Sequence, residues 1–310
     1  MTVLRDPNLP THPLLFRRPP WGCRPPGQSV AGEIRGNVAL HLFSGAYDRA
    51  DGLAASLRGM GWTCIDLDNK YCKEDDLAND EIWERIFAAV TRGLIAFVWM
   101  GPPCSSFSPA RRYKPGPRAV RDAAHPRGFP KDQLSPAEVE QVRLANYFVL
   151  QCCRVATAAH DKGVGFAIEN PIPWDDPQCA SMFHFEEFEA VLTLPGVRFV
   201  DFDQCMHGAE TVKPTRVVFY GIEIGDWEMR CNHPPRWQWC EFRDASGRYV
   251  GEHQWTAHPR IIRARTMDGE WASKAAAAYP GKMNAEIARA VTANTRRKRP
   301  APVTEPTPES

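Results

Sequence analysis

Cys104 follows two prolines in the segment FVWMGPPCSSFS at residues 97–108, and Glu169 ends an apolar run in VGFAIENPIP at residues 164–173. A thiol becomes a nucleophile once deprotonated, and a carboxyl group can give or take a proton beside it. The continuous apolar run at 94–100 has the length of a buried strand, and Gly101, Pro102 and Pro103 cannot continue it. Cys104 then stands at the carboxyl edge of a strand, where open α/β sheets bind ligands. Glu169 reaches the same edge if the two strands are parallel. A buried structural cysteine is the competing reading of an isolated PPC, because free cysteine is among the most buried residue types. The neighbouring segments decide between them.

The elements that must position these groups are legible in outline. Residues 38–46, VALHLFSGA, read as a strand running into a small-residue turn, and DRADGLAASLRGMG after it is compatible with a helix. Such a turn lets backbone approach a ligand closely. Residues 62–68, WTCIDLD, form a second strand ending in carboxylates about 20 residues later, suited to a ribose diol. A long helix is expected over 135–162, with Ser135 as cap, Pro136 in the first turn and Glu138 completing a capping box. Cys152 and Cys153 inside it are read as packing residues. The alternation of strands and helices predicts an α/β, Rossmann-like, doubly wound and mostly parallel sheet with a small insert.

Taken in order, FSG, the acidic strand end, PPC and ENP resemble the DNA cytosine-5 methyltransferase family, over roughly residues 38–220. Further on, DFDQCMHGAETVKPTRVVFYG is similar to the family's motif before the last strands, and AAYPGKMNAEIARAV to its closing helix. The resemblance implies an S-adenosylmethionine-dependent enzyme of the methyltransferase type of that sheet. Cys104 would attack carbon 6 of a flipped cytosine, Glu169 would stabilise the ring at N3 and the exocyclic amine, and Lys213 or Arg216 would contact the base or the nucleophile loop. The cofactor would lie beside Phe43, Ser44 and Gly45, with Asp66 toward the ribose and Asp76 toward the adenine amino group. Leu67, Leu77, Pro102 and Asn284 complete the implied cofactor set. The chain departs from the pattern at Tyr47 and Asp48, where the family carries a second glycine, at Ser105 beside the nucleophile, and in the spacing of Gln204, Lys213 and Arg216. The same chemistry on RNA, transfer of another group from a related cofactor, and a catalytically silent nucleic-acid binder are the other readings.

Around this centre, Arg111, Arg112, Lys114 and Arg118 open a cationic stretch that runs to Lys131 and is rich in proline, read as a loop closing over phosphates. Residues 221–270 carry tryptophans and arginines and fall where the family has its target-recognition region. The expected organisation is an extended Pro/Arg-rich arm at 1–32, a catalytic domain at 33–220, the recognition region at 221–270, a returning helix at 271–294 and a disordered tail at 295–310. With 310 residues and a net charge of +1, nucleic-acid contact must come from local patches, while ten cysteines without a regular framework suggest reduced thiols. No apolar run is long enough to span a bilayer. A monomer in the cytoplasm of a bacterial or phage-type host cell is expected, with DNA, or else RNA, as partner. Cys231, His233, Cys240, His253 and His258 cluster in sequence but match no standard zinc template, and no metal is assigned from sequence.

Overall fold

The structure is a computed structural model and describes residues 37–45, 49–69, 73–112, 116–234, 238–243, 246, 248–255, 258 and 276–297. Its centre is a six-stranded sheet. Strands β1 (Val38–Leu42), β2 (Thr63–Leu67), β3 (Phe97–Met100) and β4 (Gly165–Pro171) are parallel, while β6 (Pro214–Tyr220) runs antiparallel between β4 and β5 (Arg198–Asp203). The spatial order is β2-β1-β3-β4-β6-β5.

β1 and β3 are buried at every position, as expected of central strands covered on both faces. Period-two alternation sends their side chains into two separate cores. Leu40, Leu42, Val98, Met100, Phe166 and Ile168 pack on one side, against α2 (Asp80–Thr91), α3 (Pro136–Asp161) and α4 (Glu186–Leu192). Ala39, Phe97, Trp99 and Ala167 pack on the other, against α1 (Leu53–Gly59) and α5 (Gly281–Arg297). Helices on both faces of a mostly parallel sheet make the fold Rossmann-like and doubly wound.

Local sequence accounts for the helix that links the two motif strands. α3 starts at a full capping box: Ser135 Oγ accepts from the Glu138 N–H and the Glu138 carboxylate accepts from the Ser135 N–H, with Pro136 in the first turn. The chain leaves β1 toward β2 on one side and returns to β3 on the other, so β1 and β3 flank a topological switch point. A separate antiparallel hairpin, β7 (Gln238–Arg243) with β8 (Tyr249–Trp255), lies within the region expected to recognise a target. Among the described residues no helix is long and apolar enough to cross a membrane. The 1–32 arm and residues 298–310 of the tail lie outside the described residues, as do Tyr47 and Asp48.

Candidate functional site

Both motif turns open at the switch point. Gly101 leaves β3 with its N–H on the Leu42 carbonyl (3.4 Å), and the Phe107 N–H closes a turn onto the Cys104 carbonyl (2.9 Å). Asn170, at the end of β4, is buried and donates from Nδ2 to the buried Pro102 carbonyl at 3.0 Å. One side-chain bond therefore fastens the ENP strand end to the PPC turn. Cys104 is half-buried, and burial raises its pKa; Glu169 raises it further while Lys213 opposes the rise.

Glu169 is buried on the neighbouring strand and held by two groups. Its Oε2 accepts from the Tyr279 hydroxyl at 2.9 Å, and Lys213 Nζ stands 3.6 Å from its Oε1. Oε1 takes no hydrogen bond among the described residues, which leaves a buried acceptor open at the sheet edge that carries the Cys104 turn. Tyr279 is set in turn by Trp99, whose indole N–H reaches the phenol oxygen at 3.4 Å with the two rings edge to face. Burial, reinforced by Glu169, pushes the Tyr279 pKa well up, so the phenol keeps its proton and donates it. Gly101 leaves room for this arrangement: a Cβ there would lie 2.5 Å from the Tyr279 hydroxyl. Sequence reading missed Tyr279. It precedes the Pro-Gly that opens α5, and nothing local to that segment ties it to residue 169.

Lys213 reaches the centre because it precedes β6, where its carbonyl accepts from the Gln204 N–H at 3.1 Å. Arg216 does not join it. Its guanidinium is bidentate to Asp201 on β5 (2.7 Å for both bonds) and stacks over Phe199 at 4.0 Å. In the antiparallel ladder Arg216 stands opposite Asp201, so the ion pair is satisfied within the sheet.

The turn after β1 is shaped for close approach. Phe43 has φ 59° and Gly45 φ 71°, and the Phe43 and Ser44 N–H groups both meet the Leu67 carbonyl, at 2.8 and 3.3 Å. A bulky residue at positive φ costs on the order of 1–3 kcal/mol and marks functional turns. Packing of Phe43 against Phe148 and Trp83 holds it there. A Cβ on Gly45 would meet nothing within 4 Å, so its outer side faces open space.

The acid serving this turn is Asp68 rather than Asp66. Asp66 lies inside β2, buried, with its carboxylate taken by Arg58 (2.6 Å) and His41 (3.2 Å). Asp68, just past the strand, accepts the Gly45 N–H at 2.9 Å. One strand residue, Leu67, separates a structural ion pair from the sheet edge. Asp76 comes back to the same edge through Asn69, whose Nδ2 donates to it at 2.8 Å. Leu67 and Leu77 are buried beside it. Asn284, in the first turn of α5, donates to the Asp51 carbonyl at 2.8 Å, and its buried Oδ1 takes no hydrogen bond among the described residues. It ties α5 to the loop following β1.

The cationic stretch is bound down rather than presented. Arg111 spans the Ser105 carbonyl, the Arg118 carbonyl and Gln141 at 2.6–2.8 Å. Arg112 pairs with Asp176 at 2.5 Å, and Arg118 is bidentate to Glu138 at 2.9 and 2.8 Å. Arg121 is buried with its guanidinium 4.0 Å over Phe107. Each of these arginines found a protein acceptor because α3, its flanking turns and, for Arg112, the loop after β4 lie within reach. Lys114 lies outside the described residues.

No family model matches the sequence, and no curated protein does. Among the solved structures it is similar to are two with low sequence identity. A protein described as a DNA modification methyltransferase encoded within an Escherichia coli prophage is 15% identical, with 59% of this chain and 46% of that chain covered at a TM-score of 0.31. The Entamoeba histolytica methyltransferase EhMeth is 14% identical, with 60% and 52% covered at a TM-score of 0.34. The chain thus spans about half the length of each.

Proposed function

We propose that this chain is an S-adenosylmethionine-dependent methyltransferase that modifies carbon 5 of cytosine in DNA. The observation that carries the reading is the shared sheet edge at the switch point. There Asn170 fastens the Cys104 turn to the β4 end, and Glu169 offers an open buried oxygen between Tyr279 and Lys213.

The thiolate of Cys104 would add to carbon 6 of the flipped base, placing electron density on carbon 5. Glu169, once a proton has been taken up on Oε1, would donate it to N3 as that charge develops, and its other oxygen stays held by the Tyr279 hydroxyl. Lys213 favours the thiolate against burial and Glu169, and a backbone hydrogen bond to the sulfur acts in the same direction. Once carbon 5 carries the added methyl group, loss of its hydrogen to a base and expulsion of the Cys104 thiolate would re-form the bond between carbons 5 and 6, and the proton on N3 would return to Glu169.

The pocket for S-adenosylmethionine would be built by Phe43, Ser44 and Gly45 with Asp68, Asp76, Leu67, Leu77 and Pro102. The open side of Gly45 and the carboxylates at the ends of β2 and its following loop fit such a ligand. When bound, the cofactor supplies an electrophilic methyl group. The 221–270 region, with its arginines and tryptophans, would contact the DNA target.

The test is nucleoside mass spectrometry of unmethylated mixed-sequence DNA, and of RNA in parallel, after incubation with labelled S-adenosylmethionine. Labelled 5-methylcytosine in DNA that vanishes with Cys104→Ala is the expected result. Label confined to RNA would move the substrate assignment, and label in neither would end the enzymatic reading.

A further inference from the structure

Four side chains outside this centre converge on one point. Cys205 sits in the short turn after β5, Cys231 and His233 follow in the segment leading to β7, and His258 lies beyond β8. One ligand atom from each lies within 4.8 Å of every other. Cys231 Sγ is 3.6 Å from His233 Nδ1 and 3.1 Å from His258 Nε2, and the two imidazole rings are 4.5 Å apart. Zinc–sulfur bonds of about 2.3 Å and zinc–nitrogen bonds of about 2.0–2.1 Å in a tetrahedron set ligand atoms roughly 3.3–3.8 Å apart. The two printed sulfur–nitrogen distances already fall within a few tenths of an ångström of that range, and the widest separation, at most 4.8 Å, needs about one ångström of closure.

We infer that Cys205, Cys231, His233 and His258 form a Cys₂His₂ structural zinc site. Two thiolates and two neutral imidazoles would balance the charge of the ion, and four protein ligands make the closed set of a structural rather than a catalytic centre. The surroundings support ligands that are oriented from outside. The Cys231 N–H donates to Asp203 Oδ2 at 2.7 Å, and the same carboxylate oxygen meets Arg230 Nε at 3.2 Å. Asp203 also takes the Met229 carbonyl through its own N–H at 2.9 Å, so the 229–231 segment is laid against the end of β5 before any metal is considered.

The consequence is a staple. Three segments that enclose the β7–β8 hairpin in sequence would be fixed to the catalytic sheet through one ion, next to Gln204, whose N–H holds the Lys213 carbonyl. The sequence hides the site because Cys205 is remote from the Cys-x-His pair, and because Cys240 and His253 are nearer neighbours in sequence. The inference does not depend on the reaction proposed above.

The experiment is elemental analysis of the purified full chain, followed by replacement of the metal with Co²⁺. About one zinc per chain is expected, dropping below about a tenth in Cys205→Ser and in Cys231→Ser but not in the control Cys64→Ser. Cobalt should give thiolate charge-transfer and tetrahedral d–d bands. The wild-type spectrum decides the matter if the cysteine variants fail to fold. A folded chain that binds neither zinc nor cobalt, zinc retained in both cysteine variants, or a Cys205–Cys231 disulfide in the freshly purified protein would each overturn the site.

Discussion

The two oxygens of Glu169 have different surroundings, and that asymmetry defines the centre at the scale of single residues. Oε2 is committed to Tyr279, while Oε1 faces Lys213 at 3.6 Å and otherwise stays open. Tyr279→Phe should remove a bond worth about 1.5–3 kcal/mol to a charged acceptor and slow methyl transfer roughly 10- to 100-fold. Steady-state kinetics with an unchanged melting profile would check it. The thiol is tuned by the same neighbours. Burial and Glu169 push its pKa up and Lys213 pulls it down, so alkylation of Cys104 should rise with pH through a midpoint above that of an ordinary cysteine. Lys213→Met should move that midpoint higher, and Glu169→Gln lower, in iodoacetamide rates followed by peptide mass spectrometry. A wild-type midpoint below the ordinary value would contradict the electrostatics. Residue identity alone pointed to Cys104 and Glu169, because an apolar run broken by PPC or ENP announces a side chain at a strand end. It did not separate Asp66 from Asp68. That distinction depends on where β2 stops, and Arg58 and His41 consume the earlier acid. Asp68→Asn is therefore expected to weaken S-adenosylmethionine binding about tenfold by calorimetry, whereas Asp66→Asn should lower stability by about 1.5–3 kcal/mol.

Elements set these residues in place through their ends. β3 and β4 are parallel neighbours whose carboxyl termini turn out together, and Gly101 is the hinge at which Tyr279 enters between them. Gly101→Ala would drive a methyl group to 2.5 Å from the phenol oxygen. Overpacking of this kind costs about 1–3 kcal/mol, and the displaced phenol should bring activity to the Tyr279→Phe level or lower. Gly45→Ala meets no atom, so only its left-handed backbone is penalised, by about 1–2 kcal/mol. Thermal melts of the two variants beside their activities separate steric from backbone effects. α3 and the buried strands were legible because their signals are local: Ser135, Pro136 and Glu138 write a helix start within four residues, and VALHL and FVWM admit no exposed face. The cationic stretch read differently in sequence and in space. Glu138 and Asp176 are distant in the chain from the arginines they neutralise, and a charge count along residues 111–131 does not see them.

At the scale of the whole molecule, the switch point between β1 and β3 brings the turn after β1 and the Cys104 turn side by side, and the segment that opens α5 reaches both β4 and the loop after β1. Tyr279 and Asn284 arrive on that segment, bound to Glu169 and to the loop after β1. Their roles depend on contacts between residues 110 and 233 positions apart, which no local pattern encodes. The same holds for Lys213, brought in by an antiparallel strand inserted between β4 and β5. The fold class followed from alternating elements, whereas the strand order, with β6 antiparallel between β4 and β5, did not. What remains is whether the shared sheet edge performs covalent chemistry on a base. DNA containing 5-fluorocytosine decides it, because fluorine at carbon 5 blocks the final elimination. Mass spectrometry after incubation with S-adenosylmethionine should show a protein–DNA adduct in the wild type and none in Cys104→Ala. Absence of any adduct while the chain binds both DNA and cofactor, or an adduct that persists in Cys104→Ala, would contradict the assignment of Cys104 as the nucleophile.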